Sequence, residues 1–241
     1  MLTIQNLTKH YKGSDKGITN LNLQLDAGDI YGFIGHNGAG KTTTLKCVSG
    51  IHAFDAGEIY IDGLSVRKDA MACKRKIAYI PDNPDLYEYM TGIQYLNFIA
   101  DIFGVSAAER EERIRTHAKE FEISASLGEL ISAYSHGMKQ KLAIISALVH
   151  KPRLLILDEP FVGLDPKASV VLKNTMHKLC EEGGAIFFST HVLDVAEKLC
   201  NKVAIIKNGE LVASGRMEEI VAEGETLESK FLEVAEDDRA N

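Results

Sequence analysis

The chain opens on strict two-residue alternation. Leu2, Ile4 and Leu7, and then Leu21, Leu23 and Leu25 set between Asn20, Asn22, Gln24 and Asp26, put every second side chain on one face, as half-buried strands of an antiparallel sheet do. The turn Ala27-Gly28-Asp29 leads into Ile30-Tyr31-Gly32-Phe33-Ile34, an unbroken apolar run that reads as a further strand. A helix is expected from Lys41 through Val48, with Gly50 as its C-cap. Glu58-Ile59-Tyr60-Ile61 forms a short strand between the turns Asp55-Ala56-Gly57 and Asp62-Gly63, and Ile77-Ala78-Tyr79-Ile80 another, stopped at Pro81.

Between Pro81 and Pro152 the period becomes helical. Thr91 with Gln94 and Ser106 with Glu109 are capping-box pairs, each opening a helix. The first carries Ile93, Leu96, Ile99, Ile102 and Phe103 on one side and ends at Gly104; the second carries Glu109/Arg113 and Glu111/Arg115 four residues apart on a solvated face. A third begins near Ser135 and runs through Leu142, Ile145 and Leu148. Strand and helix then alternate again: strand 153–157, helix 168–180, strand 185–189, a helix through Leu193, Ala196 and Leu199, and strand 203–206, closed by the Asn208-Gly209 hairpin onto Leu211-Val212-Ala213. The tail is charged, with Leu227, Phe231 and Leu232 as apolar anchors, and Glu236-Asp237-Asp238 is expected to fray. The expected fold is α/β: a core with a mostly parallel sheet (1–81 and 152–216), an N-terminal antiparallel β-subdomain, an inserted α-helical lobe (82–151) and a tail (217–241).

Composition narrows the class. The chain has 241 residues, 45% hydrophobic and 25% charged, enough to bury a sizeable core. A net charge of −7 argues against a nucleic-acid binder that relies on a broad basic face. Cys47, Cys73, Cys180 and Cys200 are scattered without zinc spacing, so buried thiols in a reducing compartment are expected. No apolar run approaches the roughly 18 residues of a membrane span, and the polar-studded start is no signal peptide. A membrane role would need a partner chain.

The chemistry concentrates at two places. Gly35-His36-Asn37-Gly38-Ala39-Gly40-Lys41-Thr42 fits G-x-x-x-x-G-K-[ST] between a strand and a helix, the order a phosphate-binding loop requires. Its glycines let backbone N–H groups close around phosphate oxygens, Lys41 supplies a point charge, Thr42 a hydroxyl for Mg²⁺, and the helix its positive end. The second is Asp158-Glu159, two acids ending the apolar strand Leu154–Leu157, where a nucleotide fold holds Mg²⁺ and activates water. Read alone, Asp158 could cap the turn before Pro160, His191 could be an ordinary surface or core histidine, and Ser135 and Asp165 could be simple helix caps. Tyr11 is either sheet packing or a platform for a base.

Four further stretches fall into order around these two: Tyr134-Ser135-His136-Gly137-Met138-Lys139-Gln140, then Gly163-Leu164-Asp165-Pro166, then Ser189-Thr190-His191, and Tyr11 near the start. With them the chain resembles, from about Leu2 to Gly215, the ATP-binding subunit of an ABC transporter, with a P-loop NTPase core. The resemblance implies that Gly35 through Lys41, with Thr42 and Thr43, hold the ATP phosphates, that Asp158 and Thr42 hold Mg²⁺, that Glu159 polarises the attacking water and His191 steadies it, and that Tyr11 stacks on adenine. It also implies that Ser135 and Gly137 touch the γ-phosphate of ATP held by another subunit, with Asp165 at that contact. His136 stands where the family usually has glycine, which puts close backbone approach there in question. Asp82 stands where the family usually has a glutamine that reaches Mg²⁺; it either replaces that group or only caps the turn Pro81-Asp82-Asn83-Pro84.

The expected function is therefore an ATP-hydrolysing subunit that dimerises around ATP, as a homodimer or with a related chain, and drives a separate integral membrane permease from the cytoplasmic face. Docking is expected near Leu86, Tyr87, Tyr89 and Met90. The tail Leu227–Val234 looks similar to the end segment of exporter-type bacterial subunits. A soluble ATPase of this class acting on ribosomes or DNA, and a nucleotide-sensing module that hydrolyses little, are the competing readings. The absence of paired modules and the presence of Glu159 weigh against them.

Overall fold

Two sheets divide the strands according to the two hydrophobic patterns. The computed structural model describes residues 1–11, 13, 16–222 and 224–236. In chain order the elements are β1 (Leu2–His10), β2 (Gly17–Leu25), β3 (Ile30–Ile34), α1 (Lys41–Val48), β4 (Ala56–Ile61), β5 (Leu64–Ser65), α2 (Ala70–Lys76), β6 (Ile77–Ile80), α3 (Gly92–Ile102), α4 (Ala107–Glu120), α5 (His136–Val149), β7 (Leu154–Asp158), α6 (Pro166–Glu181), β8 (Ala185–Thr190), α7 (Leu193–Leu199), β9 (Lys202–Lys207), β10 (Glu210–Arg216), α8 (Met217–Ile220) and α9 (Leu227–Glu236). The alternating strands make a four-stranded antiparallel sheet, β2-β1-β4-β5, with Leu2 opposite both Leu25 and Ile61. All six alternating leucine and isoleucine side chains of β1 and β2 point into the core.

The apolar strands form the second sheet, β10-β9-β3-β8-β7-β6, parallel except for the β9–β10 hairpin. Core covers both of its faces, which is why its central strands carry no alternation. Phe187 packs with β1, β2 and α1 on one side, while its neighbour Phe188 packs with α5, α6 and α7 on the other. The register matters more for function. Ile34 of β3 lies opposite Thr190 of β8, and Asp158 of β7 opposite Ser189, so the segments that follow β3, β7 and β8 emerge together at the carboxyl edge of the sheet. That edge is where open α/β sheets bind ligands.

Between β6 and β7 the chain is helical. Thr91 and Gln94 form the full reciprocal capping box on α3. Ser106 does cap α4, and Glu109 turns its carboxylate to the Ser106 hydroxyl (2.7 Å) and to Arg113 (2.6 Å). Glu111 and Arg115 make no ion pair among the described residues. The buried row of α3 is Gly92, Leu96 and Ala100, and Ile102 is 60% exposed. The helix ends there, and Phe103 swings inward to stack on His150, ring centroids 3.7 Å apart. In the tail, Leu227 is buried and Phe231 packs on the core, but Leu232 is 52% exposed and anchors nothing. Glu236 closes α9; Asp237 and Asp238 lie outside the described residues. The four cysteines are free and buried. Among the described residues no helix is long and apolar enough to cross a membrane.

Candidate active site

At the carboxyl edge, β3 gives way to the loop Gly35–Gly40 and then to α1. The turn into the helix is made by Gly40 at φ 111°, a conformation closed to other residues, and its space is limited by the Gly17 carbonyl on one side and Ile206 on the other. The loop is held by its own and neighbouring backbone: Ala39 N–H donates to the His36 carbonyl (3.1 Å) and Gly209 N–H to the Ala39 carbonyl (2.9 Å). Lys41, only 6% exposed, reaches back so that Nζ donates to the carbonyls of Gly35 (2.6 Å) and His36 (3.3 Å). Burial pulls its pKa below the ordinary lysine value, while the carboxylates of Glu159 and Asp158 push the other way.

A cavity of ≈ 420 Å³ opens over this loop, a size suited to a small ligand. Tyr11, His36, Asn37, Gly38, Gly40, Lys41, Thr42, Thr43, Asp82, Asp158 and Glu159 line it, while Gly35 and Ala39 are buried beneath it. Tyr11 forms one wall. Its hydroxyl meets that of Thr43 at 3.3 Å, its edge meets His52, and the Lys9 ammonium lies 5.6 Å from the ring centre. Lys16 and Gly17 line the cavity too. Sequence reasoning missed them, because nothing in the β1–β2 turn marks it as a neighbour of residues 36–43.

The two adjacent acids have different surroundings. Asp158 is 1% exposed; one carboxylate oxygen accepts a hydrogen bond from the Ser189 hydroxyl, and the other, Oδ2, has no partner among the described residues. A buried carboxylate oxygen without a donor is costly unless a cation or bound water meets it. Ser189 has a second role that its place in the sequence did not reveal: its hydroxyl and carbonyl both accept from Glu159 N–H, at 3.3 and 3.1 Å. Glu159 sits at φ 48°, in the left-handed region that non-glycine residues rarely occupy. That twist turns its carboxylate to His191, whose Nδ1 is 2.9 Å from Oε1, and toward Lys41 Nζ at 3.8 Å. Asp82 accepts Asn83 N–H on Oδ1 at 2.9 Å and also lines the cavity.

Ser135, Gly137 and Asp165 do not line this cavity; they assemble elsewhere. Ser135, exposed, caps α5 by accepting Met138 N–H at 3.3 Å. Asp165 caps α6, accepting Ala168 N–H at 2.8 Å, and pairs with Lys141 of α5 at 2.6 Å; Lys141 and that N–H hold its carboxyl below the usual carboxylate range. The segments interlock at Gly163, where the His136 ring fills the space a side chain would need, and the Gly163 carbonyl stands 2.9 Å from where a Cβ on Gly137 would lie. His136 is thus directed into the loop before α6.

One chain therefore carries two separate features, the cavity over the Gly35–Gly40 loop and the N-terminus of α5 beside the Asp165 cap. Residues 18–162 match the family model described as ABC transporter, and the ABC-type transporter ATP-binding protein EcsA of Bacillus subtilis (strain 168) is 34% identical over 242 residues, covering 99% of this chain and 98% of that one. The chain belongs to the ABC transporter family. It is an ATP-binding subunit by that membership. The solved structure of an ATP binding subunit of an ABC transporter superposes with a TM-score of 0.93 at 34% identity, covering 98% of this chain and 99% of that one. The dimeric post-hydrolysis structure of the ATP-binding cassette MJ0796, bound to ADP and Pi, superposes at 0.80 with 25% identity, covering 90% and 99%.

Among the described residues no cluster of three or more His, Cys, Asp or Glu could hold a metal ion by itself. Nucleotide sites bind Mg²⁺ through one or two protein oxygens, waters and the phosphates. The partnerless Oδ2 of Asp158 and the Thr42 hydroxyl at the same cavity fit that donor set.

Proposed function

We propose that this subunit hydrolyses Mg²⁺-ATP between two copies of itself and so drives an integral membrane partner from the cytoplasmic side. The observation that carries the reading is the cluster Lys41, Asp158, Glu159 and His191 at one sheet edge, with Ser135 and Asp165 outside it. Thr42 and Asp158, with Asp82 at the cavity wall, would hold Mg²⁺, which neutralises charge on the β- and γ-phosphates. Lys41 leaves its loop carbonyls for phosphate oxygens, and the loop's N–H groups close around them. Tyr11 offers its ring to adenine. Glu159, fixed by His191, takes a proton from the water that attacks the γ-phosphorus as the bond to ADP breaks. Ser135 and Gly137 of the second copy bring the positive end of α5, roughly half a charge, to the same γ-phosphate. Supporting two copies is the separation of the cavity and the α5 N-terminus within one chain.

Asp82 gives a graded test of the Mg²⁺ reading. Asp82→Ala is expected to raise the Mg²⁺ concentration for half-maximal ATPase activity, and Asp82→Gln to restore much of it, since either side chain offers an oxygen to metal-bound water. An unchanged Mg²⁺ dependence in folded Asp82→Ala would reduce the residue to its bond with Asn83.

For the membrane partner, the docking surface shifts from its sequence expectation. Leu86 is buried and Met90 packs on the core, so neither is available. Tyr87 and Tyr89 are exposed and stacked 5.9 Å apart, Tyr87 also meets Phe98, and Ile102 lies exposed on the same helix as Phe98. Such an apolar patch marks an interaction surface. Beside it a groove of ≈ 370 Å³ runs between β6, α3 and α5. A photocrosslinker at position 87 or 89 is expected to capture a co-purifying integral membrane protein; crosslinks confined to this chain would remove the docking reading.

A further inference from the structure

The C-terminal helix α9 is tied to the phosphate loop, and nothing in the hydrolysis above uses it. Leu227, in its first turn, is fully buried, and its N–H donates to Glu197 Oε2 of α7 at 2.7 Å. One turn further, the Phe231 ring lies against His36, centroids 4.8 Å apart and planes inclined by 59°. His36 is the loop residue whose carbonyl receives both Ala39 N–H and Lys41 Nζ. Towards the end of α9, Lys207 Nζ donates to the Val234 carbonyl at 3.1 Å, and two residues on from Lys207 the Gly209 N–H holds Ala39. The helix thus braces the loop directly at residue 36 and through the β9–β10 turn at residue 39.

We propose that Phe231 is a positioning residue for the nucleotide: through His36 it holds the phosphate loop in its binding shape, so ATP affinity depends on a docked α9. The proposal rests on the reading of Gly35–Thr42 as the loop that binds ATP. The loop is rich in glycine and pays a large entropic cost to become ordered; a ring clamped on its His36 side chain removes part of that cost before the ligand arrives. Linkage makes the effect reciprocal, so ATP strengthens the docking of α9 by the same factor.

The test uses the full chain, with a fluorescent ATP analogue for affinity and steady-state ATPase kinetics. Phe231→Ala is expected to weaken binding by about three- to tenfold, the scale of one aromatic pair, raising KM while kcat stays within about twofold. Phe231→Tyr should retain wild-type affinity, and so should Leu232→Ala, whose side chain is exposed. His36→Ala should match Phe231→Ala, and the double variant should be no worse than either, because both break one contact. Amide exchange in α9 should slow on adding ATP to wild type but not to His36→Ala. Unchanged affinity in either single variant, or effects that add, would overturn the proposal. If Phe231→Ala does not fold, Phe231→Leu, which loses the ring but stays apolar, takes its place in the comparison with His36→Ala and the double variant. Failure of wild type to bind the analogue would instead remove the loop reading itself.

Discussion

Glu159→Gln is expected to bind ATP as wild type does and to turn it over at least about a hundredfold more slowly, the usual scale for losing a general base. The substitution keeps the size and shape of the side chain and removes its charge, and with the charge its capacity to accept the water's proton. Binding is expected to survive because the groups proposed to hold the phosphates, Lys41 and the loop N–H donors, keep their own side chains and backbone, and Lys41 stays anchored on the carbonyls of Gly35 and His36. The strained backbone at residue 159 also survives, being held by two hydrogen bonds from its own N–H to Ser189. Turnover within a few-fold of wild type, measured by phosphate release at saturating Mg²⁺-ATP, would show that the proton goes elsewhere.

Much of this site was legible in the chain because its parts are local. The phosphate loop is eight consecutive residues between a strand and a helix, and Asp158-Glu159 end an unbroken apolar strand. The caps at Thr91, Ser135 and Asp165 were equally readable, each being a hydrogen bond within three residues. What escaped was non-local. Ser189 supports both acids across a strand pair, Lys16 reaches the cavity from a turn, and Phe231 meets His36 across most of the chain. Helical periodicity misassigned Ile102 for a different reason: it assigns a face but not the point at which the neighbouring core ends. The antiparallel sheet was clearer, since alternation in β1 and β2 states directly which side is covered.

The second large effect is expected at Ser135, which lies outside the cavity of its own chain. Ser135→Arg should abolish steady-state ATP hydrolysis while leaving nucleotide binding by the single chain intact. Position 135 is exposed, so the fold tolerates the new side chain, and losing the hydroxyl cap costs about 1 kcal/mol of helix stability. A long side chain at the N-terminus of α5 would occupy the space that the other copy's γ-phosphate must enter. Ser135→Ala separates the two effects: it loses the same cap but not the space, and should keep substantial turnover. Equal loss in both variants would assign the effect to the Ser135 hydroxyl, as cap or as phosphate contact, and not to the blocked space.

The slow Glu159→Gln background is where an ATP-bound pair is expected to accumulate and can be weighed. Light scattering on size-exclusion fractions of Glu159→Gln should give the mass of two chains with Mg²⁺-ATP, of one chain with ADP, and of one chain with Mg²⁺-ATP once Ser135→Arg is added. A single-chain mass under every nucleotide condition, or a dimer that Ser135→Arg leaves in place, would contradict the account.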